Sequence, residues 1–316
     1  LNMTRAALIP YAIKGWELWN STEKWLHSSI GTRKVNGLSL AFTEEEEELL
    51  YERVQARQAM GAPIKLISGK KAQRLEPGLN NSVRSAAWCA KDGFTSAYLT
   101  GHAFKRALTQ ENSAVMEYSK VKGIENDKNN FKIYLENNEH LIAKRIVLAG
   151  GVWLEDMLSW LNVKIPIKCL INQLIITERM PQVMKTVLSI ANGLLSLKQF
   201  DNGTVLIGGG WQGLGDKERG GVEAIPENLK GNIRLACHVI PELCYGRMVR
   251  VWLGLEAETA DALPVIGNVP GISNAYVIGS VHSGYTSGPY MGWLLSQFIM
   301  GQETEMPLFD PSRLIN

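Results

Sequence analysis

Apolar residues in the opening stretch recur at helical spacing, from Ala6-Ala7-Leu8-Ile9 through Tyr11, Trp16, Leu18, Trp19 and Trp25. Gly37-Leu38-Ser39-Leu40-Ala41-Phe42 then reads as a strand. Thr43 followed by Glu44 to Glu48 reads as the cap and first turn of a solvated helix, where carboxylates suit the positive end of the dipole. That helix runs to Met60 and stops at Gly61. Leu66-Ile67-Ser68 starts a short piece, Gly69 to Glu76 a helix halted by Pro77-Gly78, and Ala86 to Cys89 a strand entering a turn at Lys91-Asp92-Gly93. Further on, Tyr98 to Leu108 is helical, while Val115 to Ile124, Phe131 to Leu135 and Arg145 to Ala149 read as strands, the last broken at Gly150-Gly151. A strand-rich block comes next (Gln173 to Thr177, Gly193 to Gln199, Thr204 to Ile207), then a helix at Leu229 to Val239 and a strand at Arg250 to Leu255. The chain closes on strand Ala275 to Gly279 and a helix from Gly288 to Met300. This order predicts an α/β (α+β mixed) protein, a nucleotide-binding domain interleaved with a mixed-sheet domain.

Composition narrows the function classes. The 316 residues are 45% hydrophobic, enough for a large core, and Lys+Arg 33 against Asp+Glu 31 leaves a net charge of +2. That balance argues against a nucleic-acid partner, which needs a concentrated basic excess. No apolar run approaches the length of a membrane span. Cys89, Cys169, Cys237 and Cys244 form no Cys-x-x-Cys pair and no metal spacing, so reduced thiols in a cytoplasmic compartment are the simplest reading. The sequence starts at Leu1, so a leader cannot be read from it.

One glycine motif is a decoy. Gly208-Gly209-Gly210-Trp211-Gln212-Gly213 fits G-x-G-x-x-G after a strand, but a dinucleotide fingerprint must also open a helix that neutralises the pyrophosphate. The residues after Gly213 are glycine-broken and polar, and no acidic residue closes a βαβ unit. An ordinary glycine-rich loop is expected instead, and a nicotinamide-dependent dehydrogenase ranks last.

The C-terminal third carries the stronger signal. Arg250-Val251-Trp252-Leu253-Gly254-Leu255-Glu256 leads to Thr259-Ala260-Asp261-Ala262-Leu263-Pro264-Val265-Ile266-Gly267. After Gly279 comes Ser280-Val281-His282-Ser283-Gly284-Tyr285-Thr286-Ser287. In order and spacing this resembles the D-amino acid oxidase superfamily of FAD-dependent oxidoreductases, in its glycine/sarcosine oxidase and sarcosine oxidase β-subunit branch. Leu75-Glu76-Pro77, Asp92-Gly93, Val121 and Ala149-Gly150-Gly151-Val152-Trp153 match family elements upstream, so the resemblance covers nearly the whole chain. It implies a Rossmann-like FAD domain (1–30, 94–163 and 249–316) and a mixed-sheet substrate domain (31–93 and 164–248). It also implies that the family's first strand–glycine loop–helix unit lies upstream of Leu1, in a longer polypeptide of which this is a fragment.

The resemblance assigns FAD contacts to Val121, Gly150, Gly151, Trp153, Gly254, Gly279, Ser283, Gly284, Tyr285 and Thr286. The physical logic is that reduced isoalloxazine gathers negative charge at N1 and O2, which backbone N–H groups at a helix start stabilise. Ser287 or Thr286 as an ordinary helix cap is the plainer alternative. His282, Tyr285 and Glu256 are the catalytic candidates, with structural roles as the alternative for each. Glu256 stands where relatives often hold the substrate carboxylate with arginine, so it is expected to meet a cationic amine or an internal arginine such as Arg250. Ala260 and Ala262 replace a usual proline and a common glycine. No lysine stands on Val205-Leu206-Ile207, where some relatives use one toward oxygen, which tilts the expectation toward a dehydrogenase. The implied activity is oxidation of the C–N bond of a small amine or amino acid, in a homo- or hetero-oligomer. The competing expectation is a non-catalytic subunit or truncated remnant of the same family.

Overall fold

The computed structural model describes residues 1–127, 130–218, 221–279 and 284–315. Among the described residues are helices α1 (Ile9–Trp19), α2 (Thr22–Trp25), α3 (Glu44–Ala59), α4 (Gly69–Leu75), α5 (Ala97–Gln110), α6 (Leu154–Ser159), α7 (Pro226–Val239) and α8 (Gly284–Ile299), and sixteen strands. The first seven strands are β1 (Arg33–Ala41), β2 (Ile64–Ser68), β3 (Ser85–Phe94), β4 (Val121–Asp127), β5 (Asn130–Leu135), β6 (His140–Ala143) and β7 (Ile146–Leu148). Then come β8 (Lys168–Thr177), β9 (Val187–Ile190), β10 (Ser196–Gln199), β11 (Val205–Gly208), β12 (Leu214–Gly215), β13 (Val222–Glu223), β14 (Met248–Glu258), β15 (Val265–Asn268) and β16 (Ala275–Gly279). The mixed α/β class expected from the pattern is what the chain adopts.

The chain divides into two compact units, Leu1–Asn20 with Ile30–Ser96 and Leu170–Leu255, and Ser21–Ser29 with Ala97–Cys169 and Glu256–Asn316. These bounds differ from the expected domains chiefly at the start. Leu1, Ile9 and Ala12 pack with Leu50, Val54 and Ala62, so apolar burial draws residues 1–20 into the first unit and not into the nucleotide-binding part.

The first unit is built on an eight-stranded sheet ordered β14-β8-β11-β10-β9-β1-β3-β2. Strand alternation sends Leu38, Leu188, Leu197, Ile207 and Ile175 to one face, where α7 contributes Ala236 and Val239. Ala41, Ala87 and Cys89 face the other way, onto Leu50 and Val54 of α3. As expected, α3 starts at Thr43, whose side chain accepts from Glu46 N at 3.2 Å, while the Glu46 carboxylate accepts from Phe42 N at 2.8 Å. The expected turn at Lys91-Asp92-Gly93 is absent. β3 continues through it past a register shift between Val35 and Gly37, because Val35 pairs with Asp92 and Lys34 with Gly93, and this pairing outweighs the local turn tendency. Gly37 makes room for the Asp92 carboxylate, which a Cβ there would meet. The segment before Val121 is likewise not a strand; β4 begins at Val121 itself.

The glycine motif after β11 opens no helix. Gly209 sits at φ 135 with its α-carbon against the Leu194 carbonyl, and the chain continues into the two-stranded ribbon β12-β13 before α7. A loop anchored to the sheet, not a phosphate cradle, is the outcome.

In the second unit, β4-β5-β6 form an antiparallel meander and β15-β16-β7 a second small sheet. Ile124 and Phe131 of the meander share a core with Leu148, Leu154, Val265 and Val277. Among the described residues no helix is long and apolar enough to cross a membrane.

Leu75-Glu76-Pro77 has a structural meaning. Glu76 is 1% exposed, and its Oε2 accepts from Lys185 N at 2.7 Å and from Thr186 N and Oγ1, both at 2.8 Å, tying the end of α4 to the entry of β9. Truncation leaves three buried donors without an acceptor. Glu76→Ala is therefore expected to cost about 3 kcal/mol, read from urea unfolding, with Glu76→Gln losing less because an amide oxygen still accepts.

Candidate functional site

The site is framed by two parallel strands of the second unit. β16 pairs with β7 in the register Ala275 to Ile146, Tyr276 to Val147 and Val277 to Leu148. Extending that register brings Gly279 beside Gly150, about 5 Å apart across the sheet. The carboxyl ends of parallel strands are where open α/β sheets bind ligands, because the loops and helix starts there converge on one edge.

The side chains at this edge are small for a packing reason. A Cβ on Gly279 would lie 2.6 Å from Leu154 Cδ2, and one on Gly150 would lie 2.3 Å from Met157 Sδ. Both strand ends thus press directly on α6. Gly151 adopts φ 59, with open space where a side chain would stand, and Trp153 N donates to the Gly150 carbonyl at 3.1 Å, closing the turn. Trp153 is exposed. Val121 starts β4 and packs against the same core.

α8 begins at Gly284, earlier than the expected Gly288, so Tyr285, Thr286 and Ser287 lie in its first turn. This corrects the idea that Thr286 or Ser287 caps the helix: both are helical, and Ser287 is buried. Pro289 falls inside the helix, past its first turn, where it removes one i→i−4 amide donor. Gly284 to Ser287 form the first described turn of α8, at the positive end of its dipole, which favours an anionic group. The Tyr285 hydroxyl lies 2.6 Å from Thr100 Oγ1, linking α8 to α5. No local signal in the sequence pairs Thr100 with Tyr285. His282 and Ser283 lie outside the described residues.

Glu256 is half-buried on β14. The expected partner Arg250 sits on the same extended strand six residues away, about 20 Å. That is too far for an ion pair, so this reading is overturned. Gly254 is exposed on β14, with nothing within 4 Å of a built Cβ, and belongs to the first unit, not to the glycine edge of the second. A separate hollow of about 900 Å³, lined by Ile266 to Ser273 and Asp310, lies at the opposite, amino-terminal edge of β16. Two of the thiols are poor nucleophiles: burial pushes Cys89 up to about 11, and burial with a hydrogen bond to Cys244 pushes Cys237 up to about 12.

The Thr259 to Gly267 motif supports this edge and does not perform chemistry. Asp261 accepts from Thr259 Oγ1 at 3.0 Å, from Leu263 N at 3.0 Å and from Arg313 Nε at 2.8 Å. Arg313 also reaches the Pro264 carbonyl at 2.7 Å, clamping the entry of β15. Desolvation raises the Asp261 pKa, but the Arg313, Leu263 and Thr259 hydrogen bonds outweigh it and hold the carboxyl at about 2. A folded value below the unfolded one, about 4, contributes stability that is present above about pH 4. That contribution is lost as pH falls toward 2. Arg313→Met is expected to lower stability at neutral pH and to flatten the acid limb of a thermal-unfolding profile between those values. Ala262 sits at φ 56, where glycine carries no Cβ penalty. Ala262→Gly is expected to raise stability by up to about 1 kcal/mol in urea unfolding.

Comparison with known proteins agrees with this geometry. Residues 2–298 match the family described as FAD dependent oxidoreductase (DAO). The B chain of opine oxidase from Rhizobium meliloti is 26% identical over 263 residues, covering 81% of this chain and 67% of that protein. Glycine oxidase of Geobacillus kaustophilus is 23% identical over 313 residues, 96% of this chain and 81% of the relative. The crystal structure of glycine oxidase from Geobacillus kaustophilus superposes with a TM-score of 0.89 at 21% identity, over 99% of this chain and 85% of the other. With a family match over nearly its whole length and a parallel-strand edge lined by glycines, the chain belongs to the DAO family of FAD-dependent oxidoreductases.

Proposed function

We propose that the protein oxidises the C–N bond of a small amine or amino acid with FAD as cofactor. The observation that carries the reading is the glycine edge formed by Gly150, Gly151 and Gly279 beside the first turn of α8. Its fit to a flavin dinucleotide is steric and electrostatic: no side chain stands at the strand ends, and the helix-start amides favour negative charge. The Val121 backbone would hold the adenine end, Gly150, Gly151 and Trp153 the pyrophosphate side, and Gly279 with Gly284 to Thr286 the pyrimidine side of the ring. The second unit would then be the FAD-binding domain and the first the substrate domain. Gly254, also assigned to the cofactor by the resemblance, lies on β14 of the first unit.

FAD supplies a two-electron acceptor for a hydride from the substrate α-carbon. The residues bind and orient. Glu256 offers a carboxylate to the amine; His282 and Tyr285 are the polar groups proposed to hold the amine in its neutral form. Loss of hydride from that carbon gives an iminium, and water then yields a carbonyl compound and an amine. Purified FAD-loaded protein mixed anaerobically with sarcosine, glycine and proline should lose its visible flavin absorbance with at least one of them. Retention of the yellow colour with every secondary amine and amino acid tested would sink the reading.

A second reading is a partner-dependent member of the same family, favoured by the opine oxidase relative, whose name makes it one subunit of an enzyme. It predicts a flavin-containing protein that is reduced by substrate only after a second polypeptide is added, observable by reconstituting the co-purifying complex.

A further inference from the structure

β2 is the last strand of the eight-stranded sheet, and its outer edge is open among the described residues. Gly69 N donates to the Arg84 carbonyl at 2.8 Å, which fixes the phase of the ladder with β3. In an antiparallel ladder every second pair exchanges hydrogen bonds, so Ile67 with Ala86 and Lys65 with Trp88 are the bonded pairs. Ile64, Leu66 and Ser68 therefore turn their amides and carbonyls away from the sheet. Ile64 is already satisfied: its N–H donates to the Ala62 carbonyl at 2.8 Å, and its carbonyl accepts from Gln58 Nε2 at 2.7 Å. The main chain at Leu66 and Ser68 is left facing outward, the condition that invites a further strand.

The side chains beside that edge differ between the two faces. Ile64 packs with Ala87, Cys89 and Leu50, so Leu66 shares the face that carries α3. Lys65, the one charged residue of β2, lies on the opposite face with Trp88. Between α3 and β2 runs a groove of about 830 Å³ whose lining includes Glu47, Glu48, Tyr51, Glu52, Leu66 and Arg84. Arg84 is taken up by Glu47 at 2.6 Å and by Glu44 at 3.2 Å. Glu48 and Glu52 are exposed one turn apart on α3, and among the described residues no cation pairs with either. Like charges at that spacing repel along the helix, and a cation in the groove would relieve them. Leu66 and Tyr51, 38% and 55% exposed, add apolar surface to the same groove.

We propose that the β2 edge is a docking site for an extended segment of a partner polypeptide, added antiparallel as a further strand, with lysine or arginine at alternate positions facing α3. In an antiparallel bonded pair the residue opposite Leu66 lies on the same face and turns its backbone toward β2, so the basic residues are those that supply the main-chain hydrogen bonds. Main-chain bonds give such a site affinity, and side-chain alternation gives it selectivity. A second copy of this chain is the poorer occupant. Pairing β2 with itself about a two-fold axis would put two α3 helices on one face, with their glutamates opposed across the junction. The site lies wholly in the first unit and does not rest on the amine-oxidation reading.

Fluorescence anisotropy on the intact protein tests this with a labelled heptapeptide of alternating lysine and valine. At low salt the peptide is expected to bind saturably, and its glutamate–valine counterpart not to bind. N-methylation of the lysine amides removes the donors that face β2 and should weaken binding about tenfold or more. N-methylation of the valine amides, which face solvent, should leave affinity within about twofold. Glu48→Gln combined with Glu52→Gln is expected to weaken binding about fivefold. Leu66→Pro deletes one outward N–H at a place where an edge strand tolerates proline, and should cost about fivefold, while Leu66→Val keeps the affinity. Absence of binding overturns the proposal, and so does equal binding of the two methylated peptides, which would reduce the contact to charge alone. A dimer seen by sedimentation and dispersed by Leu66→Pro also overturns it, because the edge would then belong to a second copy. Should Leu66→Pro fail to fold, the two methylated peptides on the unaltered chain decide.

Discussion

The parallel pairing of β16 with β7 is the constraint on which the candidate site depends. These strands are more than a hundred residues apart in the chain, and their register alone brings Gly279 alongside Gly150. A slip of one residue would turn Ala275 and Val277 out of the core they share with Leu148 and Leu154, so burial on one side enforces the pairing. Because both strands point the same way, both loops leave at one edge, and α6 and α8 start there. The glycines result from the packing of that edge: any larger residue at 150 or 279 would collide with Met157 or Leu154.

Polar networks hold the edge from outside. Asp261 and Arg313 fasten the turn before β15, and β15 pairs antiparallel with β16, so the clamp reaches the strand that ends at Gly279. In the other unit Glu76 does similar work for β9. Both carboxylates sit in motifs that match the family, and both accept from backbone amides and a threonine hydroxyl, Asp261 from Arg313 as well. Matching motifs therefore mark the scaffold here as much as the chemistry.

Charge placement separates this chain from a simple copy of its relatives. Glu256 brings a negative group where the family pattern favours arginine, and its strand keeps it far from Arg250. Lys198, on a separate strand, holds its ammonium near the Phe94 ring, and burial pushes its pKa down.

Local pattern was enough for most elements. Thr43 before a run of glutamates dictated the start of α3, the 3.6-residue spacing of the opening stretch dictated α1, and the absence of a helix after Gly213 was readable from its glycines and charges. Where two local tendencies competed, tertiary pairing chose: Asp92-Gly93 favours a turn, yet pairing with Val35 and Lys34 of β1 made it strand. The Thr100–Tyr285 and Asp261–Arg313 pairs, 185 and 52 residues apart, left no trace in spacing, since hydrogen bonds between distant segments impose no periodicity. The same is true of Lys198, whose place on an apolar face comes from its cross-strand neighbours. The sequence by itself determined the element types and the family, because propensity and short motifs are local; only the folded chain decided which glycines share an edge and which charges are paired, because those neighbours are distant in the chain.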